Sequence, residues 1–113
     1  MMTKSGELMN FSNAEIRNKA NIYNDGQVSS RSIVTSDGES KTLGVMLLGS
    51  YVFNTAAAEL MELVQGHCRV KLADEDEWRA YREGQSFEVP ANASFDIEVL
   101  ELLDYICHFE VAN

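Results

Sequence analysis

The sequence predicts an all-β protein: a single-domain jelly-roll barrel carrying a short N-terminal helical leader. Three observations lead there. Roughly eight or nine short segments follow one another, with turn signals about every eight to twelve residues, as in sandwiches and barrels. Several of these segments alternate apolar and polar residues, the period of a half-buried strand. The chain is 113 residues long and 45% hydrophobic, with one proline and seven glycines. That is enough for one core and too little low-complexity sequence for a linker. The leader takes residues 1–23 and the barrel residues 24–113.

In the leader, Ser12-Asn13-Ala14-Glu15 has the form of a capping box, predicting a short helix over Asn13–Lys19. Asn24-Asp25-Gly26 and Ser36-Asp37-Gly38 are turns that flank extended segments. Lys41–Leu48, rich in Leu, Val and Met, reads as a strand buried on both faces. Next, Tyr51, Phe53 and Thr55 share one face of a strand, with Val52 and Asn54 on the other. In Glu59–Gln65 the set Glu59, Met61, Leu63, Gln65 opposes Leu60, Glu62, Val64. Gly66 is expected to give a tight turn into His67–Ala73, where Cys68, Val70 and Leu72 alternate with charged residues. Ala73–Glu77 is a solvated acidic loop. Trp78–Arg82 and Gln85–Val89 are expected to form a hairpin about Glu83-Gly84. Phe95, Ile97 and Val99 mark a half-buried strand, and Tyr105–Phe109 closes the barrel.

The formal net charge is −9, which disfavours nucleic acid and anionic membrane as partners, since both are bound through clustered Lys and Arg. No run approaches the roughly 18 apolar residues of a membrane helix. The first ten residues hold no continuous apolar stretch, so no secretory signal is expected and the predicted location is the cytoplasm. Cys68 and Cys107 sit in alternating apolar patterns and read as small core residues; a disulfide or a reactive thiol is the alternative.

Gly49–Gly66 has the outline of a small barrel's ligand-bearing segment: a glycine turn, an alternating strand, a link, a second strand and a closing glycine. It resembles the first motif of the cupin superfamily, where two histidines and a glutamate usually bind a metal. Here the histidine positions read Thr55 and Ala57. Gly84-Gln-Ser-Phe-Glu-Val-Pro90 resembles the start of the second motif, but Asn92 and Phe95 stand where glycine and histidine would follow. With two histidines in the chain, a histidine-rich metal site is not expected. No Gly-x-Ser-x-Gly elbow, P-loop or dinucleotide fingerprint occurs. What remains is a polar set able to face a barrel mouth: Thr55, Glu59, Gln65, Tyr51 and Ser30, with Met61, Phe53, Phe95 and Tyr105 as apolar lining. Ordinary core is the alternative for the apolar members, a loop hydroxyl and a solvated carboxylate for Thr55 and Glu59.

Gly44-Val45-Met46, Gly49, Tyr51-x-Phe53-x-Thr55, Glu59-x-Met61, Gly66, Trp78, Gly84, Phe87-x-Val89-Pro90, Phe95 and Tyr105-x-Cys107 resemble the pyrimidine/purine nucleoside phosphorylase family. The match runs from about Asp25 to Phe109. The resemblance implies a metal-free cupin barrel that dimerises. It also implies broad phosphorolysis: a purine or pyrimidine nucleoside plus phosphate gives free base and pentose 1-phosphate. No cofactor is implied beyond inorganic phosphate as co-substrate. The chain departs from the family at Ser40 and His108, where arginine is frequent, and Lys41 or His108 is the expected substitute cation.

Cleaving an N-glycosidic bond builds positive charge on the sugar. On that chemistry Glu59 and Thr55 are the catalytic candidates, Glu59 as the carboxylate that stabilises the ring. Ser30 and Thr55 are expected to hold phosphate, with charge from Lys41, Arg31 or His108. Tyr51, Phe53 and Phe95 would enclose the base, with Met61 and Tyr105 completing the wall. The rival reading is a non-catalytic cupin module that binds a sugar or nucleoside-like metabolite. A purely structural dimer and a metal-dependent cupin with unusual ligands are further alternatives.

Overall fold

In a computed structural model, residues 10–110 are described. Nine strands follow in order: β1 (Glu15–Ile16), β2 (Asn21–Tyr23), β3 (Val28–Val34), β4 (Ser40–Met46), β5 (Gly49–Asn54), β6 (Glu59–Leu72), β7 (Arg79–Arg82), β8 (Ser86–Val89) and β9 (Ser94–Phe109). Every pairing is antiparallel. The β2–β3 and β3–β4 reversals fall at the two predicted turns. Asn24, Asp25 and Gly26 all take positive φ at the first, and Gly38 (φ 90°) turns the second.

Two long strands organise the barrel. β6 and β9 pair along most of their length, from Glu59↔Phe109 to Leu72↔Phe95. The first part of β9 also pairs with β5 and its last part with β4. Likewise β8 pairs with the start of β6 and β7 with its end. The sheet thus has two halves, β5-β9-β6-β7 and β3-β4-β9-β6-β8, sharing strands that bend between them. The bend falls where the β6–β9 register slips, between Leu63 and Cys68. Gly66 sits there with φ 107°, and a Cβ on it would lie 2.2 Å from the Leu102 carbonyl oxygen. Only glycine lets the two backbones come so close.

The inner faces of both halves meet in one core. Val28, Leu63, Cys68, Val89, Ile97 and Leu103 are its most deeply buried side chains. Fully burying one large aliphatic residue stabilises the fold by about 1.5–3 kcal/mol. Phe87, on the larger half, meets Phe95 on the smaller edge-on at 6.1 Å, and stacks on Tyr81 at 4.9 Å. Both cysteines are free and buried, as core residues.

Several expectations are corrected. No helix forms over Asn13–Lys19. Asn13 takes φ 58°, outside the right-handed helical region, and β1 adds to the edge of β3 through Glu15↔Val34 and Ile16↔Ile33. So short an isolated helix is unstable in water, whereas an open strand edge offers immediate backbone partners. Residues 1–9 of the leader lie outside the described residues. β4 is buried on one face only: Gly44 and Met46 point inward, while Leu43 is 37% exposed. Gly66 makes a bulge within one continuous strand rather than a turn between two. Glu83-Gly84 is not a hairpin tip either. β7 and β8 lie in succession along the same side of β6, and Gly84 N–H bonds to the Leu63 carbonyl (2.8 Å) where the ladder is interrupted.

Candidate active site

A cavity of about 240 Å³ opens among β3, β4, β9, β6 and the end of β5. Strand alternation places its lining. Val28 and Ser30 face inward from β3, Thr42 and Met46 from β4, Glu59 and Met61 from β6, and Tyr105, Cys107 and Phe109 from β9. Phe53, Asn54 and Phe95 close the side next to β5, and Tyr23 covers from β2. The wall is aromatic and apolar with a few polar groups set into it, the usual make-up of a small-molecule site.

Glu59 is the one charged side chain among these lining residues. Burial raises its carboxyl above the ordinary value of 4.5, and a hydrogen bond from the Cys107 thiol acts in the opposite direction. Cys107 itself is pushed well up, by burial first and then by the neighbouring Glu59 charge. It therefore stays a thiol and faces the carboxylate as a weak donor. The Tyr105 phenol is also pushed far up, chiefly by burial, with the Ser30 hydroxyl acting as a hydrogen-bond partner in the other sense. Ser30 in turn accepts from Asn21 Nδ2 at 3.2 Å. Phe53 and Phe95 pack with ring centres 5.8 Å apart, tilted at 41° to each other, and form an apolar wall.

Six of the sequence-predicted residues come together here: Ser30, Phe53, Glu59, Met61, Phe95 and Tyr105. The others lie elsewhere. Thr55 is buried, but its hydroxyl is committed to the loop after β8: it donates to the Pro90 carbonyl at 2.6 Å and accepts from Ala93 N–H at 3.1 Å. Tyr51 is in the core, its hydroxyl bonded to the Leu47 carbonyl at 2.7 Å, and its ring 6.1 Å from Phe53. Gln65 is exposed at the β6 irregularity. Lys41 and His108 pair across β4 and β9 on the outer face, opposite Thr42 and Cys107. Lys41 Nζ donates to His108 Nδ1 at 2.8 Å, and His108 Nε2 then donates to Glu62 at 2.8 Å. Lys41 also meets Glu39 at 3.0 Å. Arg31 is likewise on the outer face, bonded to the Asn18 carbonyl. No lysine, arginine or histidine is found among the described residues that line the cavity.

Tyr23, Thr42 and Asn54 are lining residues that sequence reasoning did not single out. Thr42 was findable, since it shares the parity of Gly44 and Met46. The expectation of a strand buried on both faces concealed it. Among the described residues no group of three or more His, Cys, Asp or Glu gathers as a metal would require.

Comparison with known proteins fits this geometry. A family model described as pyrimidine/purine nucleoside phosphorylase matches residues 18–109. A protein of that name from Cupriavidus taiwanensis is 53% identical over 104 residues, covering 92% of this chain and 99% of its own. A protein of unknown function from Acinetobacter sp. ADP1 has a crystal structure that superposes with a TM-score of 0.87 at 42% identity, over 94% of this chain and 100% of that one. A cupin superfamily protein from Desulfitobacterium hafniense superposes with a TM-score of 0.63 at 17% identity, over 83% of this chain and 84% of its own. The barrel therefore has the cupin fold, and the chain belongs to the pyrimidine/purine nucleoside phosphorylase family.

Proposed function

We infer that this chain is a nucleoside phosphorylase of broad specificity, acting on purine and pyrimidine nucleosides. The observation that carries the reading is Glu59, a desolvated carboxylate set in an aromatic cavity of a family member. In the reaction the bond between C1′ and the base nitrogen breaks, and the bonding pair leaves with the base. A phosphate oxygen bonds to C1′, and dihydrogen phosphate gives up the one proton the base gains. Between these events the sugar carries positive charge, and a carboxylate in a low-dielectric wall stabilises it far more than one in water. Holding both reactants in one cavity supplies much of the remaining rate.

Phosphate would be held by neutral donors, Tyr23, Thr42 and Asn54, rather than by Lys41, Arg31 or His108. These donors supply hydrogen bonds without the Coulombic attraction of a lysine or arginine, so phosphate should bind weakly. Phe53 and Phe95 offer the base an apolar face that accepts either ring size. Thr55 supports the site through the loop it fastens. No resident cofactor or metal enters this scheme. The partners are nucleoside, phosphate and a second copy of the chain in a homodimer; neither nucleic acid nor membrane is a partner, and the compartment is the cytoplasm. The absence of a cation from the described lining favours one other reading, a non-catalytic module that binds a sugar or nucleoside-like metabolite. Incubation with uridine, inosine and adenosine, with and without phosphate, separates the two. Phosphate-dependent release of base with pentose 1-phosphate supports the phosphorylase. Binding without release supports the module.

A further inference from the structure

One row of residues runs straight across the inner face of the larger half sheet. Asn21 pairs with Ser30, Ser30 with Gly44, and Gly44 with Tyr105. Neighbouring strands lie about 4.8 Å apart, so Ser30 and Tyr105 are too distant to meet unless the place between them is empty. Gly44 empties it. A Cβ there would lie 2.5 Å from both Cζ and the hydroxyl of Tyr105, and 2.7 Å from the Ser29 carbonyl oxygen. The phenol thus lies over the glycine, in the gap that separates Tyr105 from Ser30 across the row.

The first hydrogen bond of this row has a fixed direction. Asn21 Nδ2 donates to Ser30 Oγ and to Ser32 Oγ, each at 3.2 Å. An amide nitrogen cannot accept, so Ser30 receives there and retains its own proton as a donor on the Tyr105 side. With Ser30 as the donor to the phenol oxygen, the phenol keeps its own proton for the cavity that it lines. Burial keeps that proton on the oxygen throughout the ordinary pH range.

We propose that Tyr105 donates a hydrogen bond to the acceptor that purines and pyrimidines share beside the glycosidic bond, N3 of a purine or O2 of a pyrimidine, and that Asn21, acting through Ser30, is the positioning residue that turns this proton into the cavity. The proposal rests on the nucleoside reading given above. These two acceptors occupy equivalent places on the two kinds of base, which is why A and T look alike in a minor groove. Glu59, an acceptor, suits the sugar hydroxyls, and the phenol, a donor, suits the base. As the bond to C1′ breaks, negative charge spreads onto the base and strengthens the contact, so the interaction favours the transition state over the ground state. One donor placed there serves both base classes with no further readout, which fits a site whose remaining walls are apolar.

The test compares kcat/KM for adenosine with that for 3-deazaadenosine, in which carbon replaces N3, using wild type, Tyr105→Phe and Asn21→Asp. The two nucleosides differ in intrinsic lability, but that difference persists in every variant. The change in their ratio is therefore the measure. The ratio should fall by about tenfold or more in Tyr105→Phe, the value of one lost hydrogen bond. It should fall similarly in Asn21→Asp, because an ionised carboxylate only accepts and reverses the row. An unchanged ratio in Tyr105→Phe overturns the role of the phenol. A fall there with no change in Asn21→Asp overturns the relay. Should Tyr105→Phe fail to fold, Asn21→Asp on the short β2 strand carries the test. If wild type shows no turnover of adenosine, the phosphorylase reading fails on its own. The same ratios are then read from calorimetric binding of the two nucleosides, where equal affinities overturn the inference.

Discussion

Glu59 is held against its own solvation preference. Its carboxyl is raised above the ordinary 4.5 by burial, so between the unfolded and the folded value the native state binds more protons, and stability falls as pH rises through that window. At neutral pH the ionised group costs stability that Glu59→Gln should return. That variant is expected to melt higher than wild type at pH 7, with the difference vanishing below the unfolded value, while kcat/KM falls at least about tenfold; thermal melts at two pH values beside a rate assay check both. A Gln variant that melts lower at pH 7 would contradict the assigned environment. Thr55→Val should act differently. It removes the hydroxyl that fastens Pro90 and Ala93 and should cost about 1–3 kcal/mol of stability by denaturant titration. The sequence carried half of this site. Ser30, Phe53, Glu59, Met61, Phe95 and Tyr105 lie on inner faces that period-two alternation reveals. The cations were misplaced for a related reason. Lys41 is adjacent to Thr42 in sequence, but one residue along a strand is the opposite side of the sheet, and that parity sends Lys41 to His108 and Glu62 rather than to the cavity.

At the scale of elements, the bend shared by β6 and β9 decides where the cavity walls stand. Gly66→Ala should lose about 3 kcal/mol or more, because it combines positive φ with a clash against the Leu102 carbonyl, which is backbone and cannot swing aside. Gly44→Ala meets mainly the Tyr105 ring, so its effect should fall on activity as well as on the melt. Composition and alternation were enough to mark the strands from Val28 onward. They were not enough to tell a turn from a bulge, since a glycine at positive φ serves both. Gly66 and Gly84 were each read as reversals, yet the chain runs on through both. Long-range pairing along β9 settles that, and no local pattern encodes it. The leader shows the same limit: a capping-box pattern was overridden by the open edge of β3.

For the whole molecule, a net charge of −9 opposes the approach of phosphate from a distance. Salt screens that repulsion, with a Debye length of about 8 Å at physiological ionic strength. The apparent KM for phosphate should therefore not rise as sodium chloride is added, and should fall in the low-salt range. A steep rise would reveal a cationic phosphate site that the described cavity lining does not contain. On the outer sheet face, Ile16, Ile22, Ile33, Leu43 and Val45 line an apolar groove between Arg31 and Asp104. An apolar groove on an outer face fits the proposed homodimer, which light scattering on the full chain checks directly. The most direct test of the function remains the fate of the nucleoside. Uridine and inosine are incubated with the folded protein, with and without phosphate, and the products separated. Free base together with pentose 1-phosphate, appearing only when phosphate is present, is the predicted result. Base released equally without phosphate, or nucleosides left intact, would contradict it.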